Sequence, residues 1–469
     1  MKLLHRTVVT VTVGVAAFFG IFGSSAIAAD LIVRKNVVEL SPQERAAFVN
    51  ALQVLKNTIP EGSKTSIYDQ FVATHVAAMS FHAMAPEDPS DHDHTPHAHG
   101  PAAGTDVAHG NAAFFPWHRE YTRRFEEALQ LIDPNIAIPY WDWTDPEAID
   151  VIFQPDFLGT KGQGTSIDIP GFGTAEGGLV QGNFSEANGW ILNNDINLDF
   201  SGNPRGTALT RFLQTPLLNN YPIPKADIDQ ILALDDYASF RSALEGFSLV
   251  EGQQGIPGIL MHNYIHGLVG GIVPRPGEEP SFFGLGTMSF SSSPYDPVFW
   301  LHHSNVDRLW AEWQANGHAG SDFYPSTGQP FGHNLNDPMW PWDGGLSTPM
   351  NRGPGNLRSY LPPFAVDDVV TPADNLDITR LGYTYDTLVT SEPEPTSVPE
   401  PTSILGLLVL GAFGAGSLLK RKQKQETLSE FSRNYRYPQA RLVENEVTLK
   451  PRDFKWSSDP CRWCVGGDL

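Results

Sequence analysis

Apolar positions recur along this chain at helical spacing in separate stretches, with long irregular segments between them. Phe48, Leu52 and Leu55 share one face of a segment that Ser41 is placed to cap. Ser66 stands in the same relation to residues 67–80, which contain Tyr68, Phe71 and His75. Pro116 suits the first turn of a third helix, where a missing N–H costs nothing. In its continuation, residues 120–132, Phe125 and Leu129 fall below His118 on one face. Residues 226–247 and 261–266 read as helical, as does the apolar stretch 296–310. Between 144 and 224 Gly, Asn, Asp and Pro are frequent with little periodicity, which predicts long surface loops around the mouth of the site, of the kind that carry specificity. Gly, Pro and Asp dominate from 318 to 374. The predicted fold class is mainly α, with long irregular loops.

Two apolar runs stand outside this pattern. Residues 8–22 follow Lys2 and Arg6 and precede Ala26-Ile-Ala28, the layout of a secretory leader over residues 1–29. The body of the chain, 30–390, closes near Tyr383-Thr-Tyr385. The polar, proline-rich stretch Ser391-Glu-Pro-Glu-Pro-Thr-Ser-Val398-Pro-Glu-Pro401 then leads into an apolar run, 404–419, and Lys420-Arg421-Lys422. Residues 391–422 resemble a bacterial PEP-CTERM sorting signal, which implies export to the cell surface or beyond and contact with a membrane or sorting machinery. Residues 423–469 have no counterpart in such signals, and the Cys461-Arg-Trp-Cys464 pair alone is weak evidence of a redox or zinc site.

A formal charge of −22 argues against a nucleic-acid or anionic-lipid partner. At 41% hydrophobic and 11% aromatic the chain can bury a sizeable core. Both cysteines lie in the last residues, so the body has neither disulfide nor thiol ligand.

The candidate chemistry is therefore carried by histidine. His109 and His118 bracket the apolar segment Gly-Asn-Ala-Ala-Phe-Phe-Pro-Trp117, where a ring nitrogen is poorly solvated and needs an acceptor or a metal. His262 and His266 stand at i and i+4, on one helical face. His302 and His303 follow in Asp296-Pro-Val-Phe-Trp300-Leu-His-His-Ser-Asn-Val-Asp307. Imidazole clusters without thiolate suit copper, zinc or iron, and Cu(II) binds most tightly of the first-row divalent ions. Adjacent helical residues point about 100° apart, so His302 and His303 do not both face one metal.

These stretches resemble the copper A and copper B signatures of the tyrosinases, the type 3 dinuclear copper proteins. The likeness extends to Pro139-Tyr-Trp-Asp-Trp143 and Leu309-Trp-Ala-Glu-Trp313, and covers roughly residues 41–385. It implies an antiparallel four-helix bundle holding two copper ions, with O2 as co-substrate and small phenols as substrates. It implies His75, His109 and His118 as copper A ligands and His262, His266 and His303 as copper B ligands. His302 is then a packed or hydrogen-bonded neighbour, and Asp307, one turn beyond His303, a candidate to orient a ligating ring. Plant and fungal relatives carry a cysteine–histidine thioether near copper A, which this chain cannot make.

Residues 81–108 interrupt the pattern of the bacterial relatives. They carry His82, a rival to His75, and the His-rich stretch 91–99, read either as a solvated insertion or as a copper-recruiting loop. The resemblance further implies that Glu245 and Asn263 hold a water that deprotonates the phenol, with Glu251 as rival to Glu245. Gly267 is expected to leave the entrance open to bulky phenols. The activity implied is oxidation of monophenols and o-diphenols to o-quinones. The alternatives are a catechol oxidase without the hydroxylation step and a haemocyanin-like oxygen carrier.

Overall fold

The computed structural model describes residues 31–80, 106–199, 202–247, 260–274, 282–345, 357–363 and 365–389. The predicted leader, His82, the stretch 91–99, Glu251 and everything from 390 onward lie outside these residues. Among the described residues no helix is long and apolar enough to cross a membrane.

The chain opens with strand β1 (Ile32–Arg34) and helices α1 (Pro42–Asn57) and α2 (Ile67–Ser80). Ser41 caps α1 in a capping box with Glu44, and the Ser66 hydroxyl accepts from the Asp69 N–H at the start of α2. A buried pair, Lys56 Nζ to Asp69 at 2.6 Å, ties the two helices together. Helix α3 (Phe114–Gln130) buries the face that carries His118, Phe125 and Leu129, as its periodicity predicts.

Residues 144–224 depart from the expectation of surface loops. They form α4 (Ala148–Ile152) and a sheet in which β2 (Gln163–Ile169) pairs antiparallel with β3 (Gly173–Leu179), and β3 with β4 (Thr210–Arg211). Phe184, Trp190, Ile196 and Leu209 from this region sit in the main core. Single apolar anchors among polar residues leave no periodic trace, so the pattern hides them.

The predicted helix over 226–247 is two helices, α5 (Lys225–Leu232) and α6 (Tyr237–Glu245). The break has a local cause: the Asp236 side chain accepts the Ser239 N–H and so starts a new helix. Gly246, at φ +111°, ends α6, and a Cβ there would lie 2.0 Å from the Leu260 carbonyl oxygen. Only glycine allows α6 to approach α7 (Met261–Gly270) so closely.

Strands β5 (Ile272–Pro274) and β6 (Phe282–Gly284) form a small ladder before α8 (Val298–Trp313), which is buried almost along its whole length. Trp300 of α8 stacks on Phe125 of α3 with ring centres 3.5 Å apart, and Trp313 stacks on Phe240 of α6 at 4.6 Å. The core is thus mainly helical, as expected. Strand β7 (Tyr383–Tyr385) closes the body by pairing parallel with β1, Ile32 opposite Tyr383.

Candidate metal centre

Two groups of histidines face each other inside this core. In the first, His75 comes from the middle of α2, His118 from the first turns of α3, and His109 from the loop leading into α3. Their ring centres lie 5.1 Å (His75–His109), 4.8 Å (His109–His118) and 5.9 Å (His75–His118) apart. In the second, α7 presents His262 and His266 and α8 presents His302 and His303. The groups meet where His118 stacks on His303, ring centres 4.4 Å apart. Phe114, Trp117 and Phe299 wall the site.

Hydrogen bonds fix which nitrogen is free in four of these rings, His75, His118, His262 and His266. The Nδ1 atoms of His75, His118 and His266 lie 2.7–2.8 Å from the carbonyl oxygens of Ser291, Phe114 and Met288. A carbonyl can only accept, so Nδ1 carries the proton and Nε2 keeps its lone pair. The Nε2 atoms of His75 and His118 are buried without a hydrogen-bond partner.

The second group is more telling. His262 Nε2 lies 3.2 Å from His266 Nε2 and 3.3 Å from His303 Nε2, while its Nδ1 faces the Asn263 side-chain oxygen at 3.0 Å and the Glu245 carbonyl at 3.3 Å. His262 and His266 both present Nδ1 to an acceptor, so their Nε2 lone pairs repel at that distance unless a cation lies between them. Nitrogens each about 2 Å from one metal ion are spaced in just this way. Burial, helped by the neighbouring rings, pushes His75, His118, His262, His302 and His303 well below the ordinary imidazole value, and burial brings His266 to about 4. All six are neutral at pH 7, the state a metal requires.

The profile of the common central domain of tyrosinase matches residues 65–316, a span that contains both histidine groups. The chain belongs to the tyrosinase family. It is similar to the tyrosinase of Streptomyces glaucescens, 35% identical over 318 residues that cover 67% of this chain and 93% of the relative. It is similar too to the Streptomyces antibioticus tyrosinase, 34% identical over 317 residues with the same coverage. Hemocyanin 1 of Megathura crenulata is 28% identical over 376 residues, 76% of this chain but 8% of that protein. The chain is a phenol-oxidising oxidoreductase, and the family's cofactors are two copper ions with O2 as co-substrate. The two imidazole groups fit that pair: each gathers at least three ring nitrogens within 4.8 Å of one another, with no competing thiolate.

Two sequence expectations for this tyrosinase-family site, for Asp307 and Gly267, need correction. Asp307 orients no histidine: its carboxylate accepts from Arg34, Arg119, Tyr383 and Tyr385. Burial opposes its charge, but Arg119, Arg34 and the two hydroxyls outweigh it and hold the group below the usual carboxylate range. Gly267 is buried, and a Cβ there would lie 2.5 Å from Leu218, so its small size serves packing and not an open entrance. His302 is packed, between His262 (5.0 Å, stacked) and Trp143 (5.2 Å), but neither ring nitrogen has a hydrogen-bond partner.

Glu245 and Asn263 both reach the site. Glu245 is fully buried; Oε1 accepts the Gly110 N–H at 2.6 Å and Oε2 accepts from Arg241 at 2.7 Å. Burial pushes its pKa up against the opposing pull of Arg241, His109 and Gly110. Asp106 and Asn111, which shape the His109 loop, carry no periodic signal. The detectable cue is an Asx residue two or three positions from the backbone it caps.

Proposed function

We propose that this protein oxidises phenols to o-quinones with O2, acting on both monophenols and o-diphenols. His75, His109 and His118 hold copper A, and His262, His266 and His303 hold copper B, within an antiparallel bundle of α2, α3, α7 and α8. The observation that carries this reading is the convergence of the His262, His266 and His303 Nε2 atoms at 3.2–3.3 Å in the second group, facing the first across the His118–His303 stack. His303 is preferred to His302 because its Nε2 joins that convergence.

When bound, the copper pair supplies the Cu(I)/Cu(II) exchange by which O2 is reduced. The protein's own part is to keep the imidazoles neutral, to surround them with Phe114 and Phe299, and to manage the phenolic proton. A phenol with a pKa near ~10 is protonated at pH 7 and needs a base. Glu245 and Asn263 are the groups for it: a carboxylate with raised proton affinity, and an amide that both donates to and accepts from a water. Two of the carboxylate's roughly four acceptor positions remain after Gly110 and Arg241.

That double engagement is also what favours the second reading, a catechol oxidase in which Glu245 only braces the site. Oxygen uptake by the copper-loaded protein, with tyrosine and with a catechol, separates the two. Glu245→Gln lowers monophenol turnover by roughly 10²–10⁴-fold and spares catechol oxidation if the residue handles the proton. A parallel fall in both activities assigns it to bracing.

The same reading places the enzyme outside the cytoplasm, with residues 1–29 removed and 391–422 directing it to a membrane or sorting machinery. Intact mass and cell fractionation of the mature protein test this.

A further inference from the structure

The six proposed ligands are not held alike. Five stand on helices, where backbone hydrogen bonds fix them. His109 stands in a loop and depends on whatever holds that loop.

The fastening comes from Asp106. Its Oδ1 accepts the N–H of Ala108 at 2.8 Å and of His109 at 2.9 Å, and lies 3.4 Å from His109 Nδ1. Asn111 completes the turn, donating to the carbonyls of Asp106 and His109 at 2.7 Å while its Oδ1 accepts from Ala113. Where His75, His118 and His266 present Nδ1 to a neutral carbonyl, His109 presents it to a carboxylate.

We propose that Asp106 is a positioning residue for copper A. It grips the backbone of the His109 loop and turns the ring so that Nε2 faces His75 and His118. It thereby serves the one ligand that no helix orients. A carboxylate behind a ligating imidazole fixes its tautomer and strengthens it as a donor, and loss of such a partner typically costs 10–100-fold in metal affinity. The proposal rests on the copper assignment made above, and its test keeps the two apart.

Copper binding is measured by competition with a chelator of known affinity, on the full chain and on two single-site backgrounds, His262→Ala for copper A and His75→Ala for copper B. Binding of two coppers by the unaltered chain supports the site assignment independently of Asp106. Asp106→Asn keeps an oxygen for the two backbone N–H groups and removes only the charge behind the ring. In the His262→Ala background it weakens copper binding 10–100-fold, in the His75→Ala background it changes nothing, and the melting temperature of the copper-free chain is unaltered. Asp106→Glu recovers part of the loss. Copper A affinity unchanged in Asp106→Asn overturns the proposal, leaving Asp106 as a loop cap only. Equal losses at both sites, or a loss that tracks melting temperature, overturn it too.

Discussion

His303 and Asp307 lie one turn apart on α8, and both are buried. Asp307 is saturated by two guanidinium groups and two phenolic hydroxyls, whereas His303 keeps a buried Nδ1 with no hydrogen-bond partner and its Nε2 3.3 Å from that of His262. Leaving a buried polar atom unpaired costs about 1–3 kcal/mol. A fold that satisfies one side chain of a helix so fully, and leaves a ring nitrogen bare one turn away, reserves that ring for something the polypeptide does not supply. Saturation marks architecture here, and its absence marks chemistry.

Acid gives the strongest way to test that contrast. The histidines have folded-state values below the unfolded one near 6.5, so the unfolded chain binds more protons as pH falls. Their contribution to stability is complete above about pH 6.5 and is lost toward pH 4, His266 alone accounting for about 3 kcal/mol. Asp307, held below the usual carboxylate range, stays charged through that window. Urea unfolding of the copper-free chain is expected to weaken steeply from pH 6.5 to 4. A flat profile would mean the rings are already paired or charged.

Next in size is Asp307→Ala. It strands Arg34 and Arg119 without their shared carboxylate and costs about 3–5 kcal/mol by denaturant unfolding, the usual consequence of breaking a buried ion pair from one side. Smaller effects on stability, about 1–3 kcal/mol, are expected for His302→Ala and His303→Ala. Metal analysis separates these two: His303→Ala retains one copper per chain, His302→Ala retains two. The reverse result would exchange their roles.

The sequence made the helix-borne ligands legible because a helix converts spacing into direction. His262 and His266 at i and i+4 had to share a face, and the caps at Ser41 and Ser66 marked where helices begin. It misled where partners come from far away. Asp307 shares a helix with His303, but its orientation is decided by Arg34 and Tyr385 at opposite ends of the body. The β2–β3 hairpin went unseen because Gln163-Gly-Thr-Ser-Ile-Asp-Ile and Gly173-Thr-Ala-Glu-Gly-Gly-Leu carry few apolar residues and several glycines. Asp106 escaped because a turn that caps its own backbone has no period at all.

The pairing of β1 with β7 has a consequence for how the protein is made. Arg34 bonds to Glu126, Asp307 and Tyr385, the last 351 residues further along the chain. During synthesis Arg34 leaves the ribosome early and its final partner very late. Helices can form and the histidines can gather meanwhile, but the buried charges around Asp307 stay incompletely matched until residues 383–385 have been translated. Contacts of such long sequence separation form slowly. The closing strand therefore acts as a completion signal: a chain cut short before it carries every proposed metal ligand and still lacks its last fastening.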